Sequence, residues 1–196
     1  FIQDQLNESQ IRRKENLTKR KAILVGTNNY PNLNEPDEDC SNTLIDQIQN
    51  RDRGAFEFEE LRNKIVKTGD KKPVAVLFPH GDAVMRAART IFATNFFGVG
   101  GFEIKDLTGL NSIEEGIDIC NNVKPSIIVC CSSDPEYPEF LSHLNKKLES
   151  KPIIIVAGYP ADSIEELKKQ GVSYFVHIKS NVFETLTDIL NILSDK

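Results

Sequence analysis

The sequence predicts an α/β fold: a five-stranded parallel sheet with helices on both faces, preceded by an irregular or helical linker segment. Three observations carry this expectation. Strand-then-helix units repeat five times over residues 73–196. The strand segments are continuous apolar runs rather than alternating ones, as expected for strands covered on both sides. Most of the intervening segments carry apolar residues at three- and four-residue spacing between Gly, Pro or Ser boundaries. Strict alternation of this kind builds a parallel sheet with crossover helices. Five strands suggest the flavodoxin-like order 2-1-3-4-5.

The elements read in order as follows. Residues 4–21 are polar, with Leu6, Ile11 and Leu17 as a thin helical stripe. Ile23, Leu24 and Val25 make a short strand-like run, and the acidic, Pro-containing stretch 32–39 reads as a loop. Phe58, Leu61 and Ile65 share one face of a helix over 56–66, stopped by Gly69. The first strand of the regular region is 74–78. A helix over 83–97 follows, with Val84, Ala88, Ile91 and Phe92 as its inner face. The second strand is 102–104, and Ser112 with Glu115 forms a capping box for a helix ending at Val123. Strand 126–130 precedes a helix over 136–148 with Phe140, Leu141, Leu144 and Leu148 inward. Strand 152–156, a helix from Asp162 or Ser163 to Gly171, and strand 174–178 come next. The last helix buries Val182, Leu186, Ile189, Leu190 and Leu193. Residues 1–70 and 71–196 are therefore read as two regions.

Composition narrows the function. The chain has 196 residues, 39% hydrophobic and 27% charged, enough for one good core. A net charge of -5 offers no basic face, so no nucleic acid or anionic lipid partner is expected. No apolar run approaches the ~20 residues of a membrane helix. The opening Phe1, Ile2, Gln3 is neither a signal peptide nor an initiator Met, and reads as the interior of a longer polypeptide. Cys40, Cys120, Cys130 and Cys131 lack metal-ligand spacing, so they are expected to be reduced thiols in a cytoplasmic protein, with no metal site.

Ligands of open parallel sheets bind beyond the carboxyl ends of the strands. That selects the loops at 79–83, 131–138 and 157–161 and, within them, His80, Asp82, Ser132, Ser133 and Gly158. His80 reads either as a ligand or acid–base group oriented by Asp82, or as a polar loop side chain beside a helix-capping Asp82; the second is preferred. Ser132 and Ser133 either line a cleft or serve the strand end and helix start. No serine sits in a nucleophile elbow. Gly98, Gly100 and Gly101 follow a helix, so they are not a dinucleotide loop, and Gly26 lacks the Lys-Ser/Thr of a phosphate loop. His143 is expected to be solvated and His177 to pack.

Five stretches taken together resemble the small (beta, non-catalytic) subunit of heterodimeric methylmalonyl-CoA mutase, at its carboxyl-terminal, cobalamin-binding-like region. They are residues 23–32 (Ile-Leu-Val-Gly-Thr-Asn-Asn-Tyr-Pro-Asn), 53–62, 93–104, 130–134 (Cys-Cys-Ser-Ser-Asp) and 156–160 (Val-Ala-Gly-Tyr-Pro). The resemblance implies an isomerase of propionate metabolism, whose large subunit carries adenosylcobalamin and interconverts methylmalonyl-CoA and succinyl-CoA. It also implies that residues near the amino end finish a substrate barrel. Cobalamin-competent domains carry Asp-x-His-x-x-Gly after the first strand; here Asp82 is followed two residues later by Val84, then Met85. The family's Ser-x-Leu becomes Ser133-Asp134-Pro135, and its Gly-Gly becomes Ala157-Gly158 before bulky Tyr159.

The expectation is a degenerate cobalamin-binding-like domain without catalytic or cofactor-binding residues of its own. It binds no cofactor, and its partner is the large subunit of the heterodimer. One alternative is a genuine cobalamin binder with a non-standard lower ligand such as His80. Another is a receiver-like signalling module using Asp134, with Asp82 and Lys179 as a partial set.

Overall fold

The structure is a computed structural model and describes residues 2–34, 54–67 and 72–194. Cys40, Arg53 and Gly69 lie outside the described residues, as does most of the 32–39 loop. The chain divides into two compact units. One comprises Pro73–Thr94 and Glu103–Ile178; the other comprises Phe1–Lys72, Asn95–Phe102 and Lys179–Lys196.

The sheet lies in the first of these. Its strands are β1 (Val74–Pro79), β2 (Glu103–Asp106), β3 (Ile127–Cys131), β4 (Ile153–Ala157) and β5 (Val172–Val176). All pairs are parallel, in the order β2-β1-β3-β4-β5. This is the flavodoxin-like arrangement expected from the sequence, and it places the reversal of strand order between β1 and β3. Phe78 lies beside Cys130 and Pro79 beside Cys131, so the loops leaving both strands start level with each other. Every position of β3 and β4 is buried, which explains their unbroken apolar runs. β5 begins two residues earlier than expected, because Gly171 takes the positive φ of 94° that ends the preceding helix and Val172 already pairs with Ile154.

Helices α4 (Ile113–Val123), α5 (Tyr137–Lys147) and α6 (Ile164–Lys169) supply Ile117, Phe140, Leu141, Leu144 and Leu167 to one core with Phe78, Cys130 and Val156. Phe78 meets Phe140 edge to face at 5.2 Å. Ser112 caps α4 through Glu115 N–H at 3.2 Å, whereas the Glu115 carboxylate reaches Asn111 N–H at 3.0 Å, one residue before the expected partner.

Helix α3 (Ala83–Gly98) exists as expected, but its inner face differs. Val84 is 75% and Ile91 65% exposed, whereas Thr90, Ala93, Phe96 and Phe97 are buried. The reason is polar. Arg89 bonds to the loop after β3, and that anchor turns the helix so that the Val84, Ala88 and Ile91 stripe faces outward.

In the other unit, α1 (Ile2–Thr18), α2 (Phe56–Lys67) and α7 (Val182–Ser194) are helical. Phe58 of α2 meets Phe183 of α7 at 5.9 Å, and Leu61 and Ile65 are buried as their spacing requires. Ile23, Leu24 and Val25 do not make a strand. Asn28 is fully buried and folds the segment into a turn: its amide donates to Leu17 O and Ala22 O, and its carbonyl accepts Leu24 N–H. The Arg62 guanidinium holds Val99 O, Gly26 O and Thr27 O at 2.9–3.0 Å, so one side chain ties the turn after α3 to the turn at Gly26.

Candidate functional site

The loops after β1, β3 and β4 place His80, Asp82, Ser132, Ser133 and Gly158 together at the carboxyl edge of the sheet. His80 stacks on Phe140, with ring centroids 4.7 Å apart and planes 23° apart. Burial lowers its pKa from the ordinary 6.5, so the ring is neutral at neutral pH. Asp82 accepts Met85 N–H at 2.8 Å and caps α3. The carboxylate proposed as an imidazole orienter is thus engaged with the helix start.

Between β1 and β3 the crevice is crossed by Glu136, in the 3-10 turn Asp134–Glu136 that precedes α5. Its carboxylate accepts the Ser132 hydroxyl at 2.7 Å, the Ser133 hydroxyl at 2.6 Å, Ser133 N–H at 3.0 Å and Asp82 N–H at 3.1 Å. These donors, Ser133 foremost, hold its pKa down at about 2. Gly81, at φ 71°, lies against the same carboxylate, and a Cβ there would collide with it.

Between β3 and β4 the crevice is filled by Tyr137 and Arg89. The fully buried Tyr137 hydroxyl donates to Ala157 O at 2.6 Å and accepts Ser132 N–H at 3.1 Å. Burial raises the phenol's pKa well above its ordinary range, so it stays protonated. Arg89 donates to Tyr137 Oη at 2.8 Å, to Asp134 Oδ1 at 2.5 Å and to Ser132 O, with its guanidinium 5.2 Å from the Tyr137 ring centre. A Cβ on Gly158 would stand 2.9 Å from Arg89 Cζ, so the space beside Gly158 already holds a guanidinium.

The sequence pointed to the two serines and all three loops but not to Arg89, Glu136 or Tyr137 as site residues. Tyr137 was recoverable from its phase, three residues before Phe140 and four before Leu141. Arg89 gave no local signal, because its partners lie 43–48 residues away. Glu136 had one, the Ser-x-x-Glu spacing of a capping box from Ser133, but its bond to Asp82 N–H comes from 54 residues away.

The remaining candidates fall elsewhere. His143 is partly exposed and sits 3.0 Å from Glu114. His177 follows β5 and packs on Tyr159 at 5.1 Å. Cys120, Cys130 and Cys131 are buried free thiols whose pKa values burial raises, Cys120 and Cys131 to about 12. Asp134, the phospho-acceptor of the receiver alternative, is paired with Arg89. Among the described residues no group of three His, Cys, Asp or Glu side chains is arranged to hold a metal, and no helix is long and apolar enough to cross a membrane.

Fold and edge together define a flavodoxin-like α/β domain whose ligand crevice is bridged by its own side chains. The chain is homologous to methylmalonyl-CoA mutase small subunits. It is 38% identical over 195 residues to the "Methylmalonyl-CoA mutase small subunit" of Porphyromonas gingivalis (strain ATCC BAA-308 / W83), covering 94% of this chain and 31% of that protein. It is 27% identical over 196 residues to the "Probable methylmalonyl-CoA mutase small subunit" of Mycobacterium bovis and of Mycobacterium tuberculosis, covering 97% of this chain and 31% of each. The chain therefore spans about a third of the length of these curated relatives. No family model matches it.

Proposed function

We propose that this chain is the carboxyl-terminal, cobalamin-binding-like part of a methylmalonyl-CoA mutase small subunit, that it has lost the cofactor, and that it stabilises and assembles the enzyme. In this reading the partner is a large catalytic subunit in the cytoplasm, which carries adenosylcobalamin and performs the isomerisation. The chain supplies no catalytic residue.

The observation that carries the reading is the crevice between β3 and β4. A cofactor tail there needs an open channel, and this one holds Tyr137 and Arg89, bonded to each other and to Ala157 O, Asp134 and Ser132. The residues present do not fit a corrin gripped from beneath. Val84 offers no donor, the partly exposed Met85 is a soft thioether, and His80 is packed on Phe140. An assembly role is supported by the exposed apolar stripe of α3, since outward Val84, Ala88 and Ile91 at three- and four-residue spacing suit a protein surface.

Titration with hydroxocobalamin tests this. The expected result is an absorbance spectrum equal to the sum of protein and free cobalamin. A stoichiometric shift that disappears in His80→Ala would instead establish a cobalamin domain with an unusual ligand.

A further inference from the structure

We propose that the loops after β1 and β3 form a socket for a small oxyanion, a carboxylate or phosphate group, and that the chain's own Glu136 occupies it. The inference goes beyond the assembly role and holds whether or not that role is correct.

Four donors converge on one carboxylate. Oε2 receives the Ser132 hydroxyl at 2.7 Å, the Ser133 hydroxyl at 2.6 Å, Ser133 N–H at 3.0 Å and Asp82 N–H at 3.2 Å; Oε1 receives Asp82 N–H at 3.1 Å. A capping box accounts for the reciprocal Ser133–Glu136 pair. It does not account for Asp82 N–H, which arrives from a loop 54 residues away, or for the Ser132 hydroxyl at the strand end. Gly81 completes the wall: its positive φ and missing side chain let the backbone approach the anion, as in loops that cradle phosphates. Arg89 grips Ser132 O and thereby fixes the strand end that presents the donors. The socket lies at the β1/β3 switch point, where sheets of this order bind their ligands.

Because Glu136 is tethered, its effective concentration in the socket far exceeds that of a free anion. Removing its carboxylate vacates the donors. The test is thermal melting of the 196-residue chain as Glu136→Ala, in sodium acetate, sodium phosphate and sodium chloride at equal ionic strength. Acetate or phosphate at ten times its dissociation constant is expected to raise the midpoint of Glu136→Ala by about 3 °C above chloride, saturably. The unsubstituted protein is expected to melt alike in all three. Rescue by acetate alone assigns a carboxylate-sized socket, and rescue by phosphate assigns one that accepts a phosphate group. Adding Ser132→Ala weakens the rescuing anion about tenfold. Equal midpoints of Glu136→Ala in the three salts, or rescue indifferent to Ser132→Ala, overturns the proposal. Should the alanine variant not fold, Glu136→Gln keeps the shape without the charge. Acetate or phosphate titrated into that variant is then expected to move the Asp82 and Ser133 amide resonances saturably, and resonances that neither anion moves overturn the proposal equally.

Discussion

The strands of the sheet and the loops at its carboxyl edge are built by opposite means. Within the strands, burial of apolar side chains does the work: β3 and β4 contribute five buried residues each. At the edge, three polar side chains, Arg89, Glu136 and Tyr137, bridge the loops. A strand tolerates an apolar exchange of similar volume. A polar bridge does not, because losing one member strips its partners of a hydrogen bond. The edge is therefore where substitutions should discriminate, and where a ligand would have to compete.

The sharpest contrast comes from Tyr137. Tyr137→Ala is expected to destabilise the fold by about 3–5 kcal/mol, since it opens a cavity and strips partners from Ala157 O, Ser132 N–H and Arg89. Ile155→Val in the middle of β4 should cost only about 1 kcal/mol. Urea unfolding of both variants measures the difference, and similar midpoints would erase the distinction between strand and edge.

Arg89→Met comes next, at about 2 kcal/mol. The aliphatic stem keeps its packing, while the Asp134 carboxylate and Tyr137 hydroxyl each lose a donor. Its unfolding midpoint should fall between those of the two variants above.

Glu136 gives a smaller and pH-dependent effect. Its folded pKa of about 2 lies below the ordinary 4.5, so its contribution is present above about pH 4.5 and fades as pH falls toward 2. His80, whose pKa burial lowers from 6.5, acts in the same direction at higher pH, because the fold prefers the neutral ring. Glu136→Gln is expected to flatten the lower limb of the stability–pH curve and, by removing a negative charge that raises the His80 pKa, to move the upper limb slightly to lower pH. With its open side in water, the effect is on the order of 1 kcal/mol. Chemical denaturation between pH 2.5 and 7 reads both limbs, and an unchanged lower limb would dissociate Glu136 from the edge.

The smallest effect on stability is expected at Ile91. Ile91→Asp should change the unfolding free energy by less than about 0.5 kcal/mol, as befits a residue 65% exposed. If α3 is an assembly surface, the same change in a full small subunit abolishes co-purification with the large subunit. Retained association would move the interface elsewhere.

Legibility in the sequence follows the same division. The strand order, the α4 cap and the core faces of α2, α5 and α7 were readable, because apolar periodicity and caps are local signals. The inner face of α3 was not. Val84, Ala88 and Ile91 have the right spacing, but Arg89 finds its partners after β3 and decides the rotation. The strand expected at residues 23–25 failed likewise, because the buried Asn28 amide binds the backbone around it into a turn. At the candidate site the valine two residues after Asp82 was visible, whereas the side chains that fill the crevice were visible only once the loops were brought together.

We propose that the side chains of this edge take the place of a corrin and its nucleotide tail. Cobalt content measures it most directly. The chain is produced in cells supplied with cobalamin, purified without denaturation, and its metal is quantified by mass spectrometry. The expected result is colourless protein with cobalt far below one atom per chain. One cobalt per chain, retained through gel filtration, would contradict it.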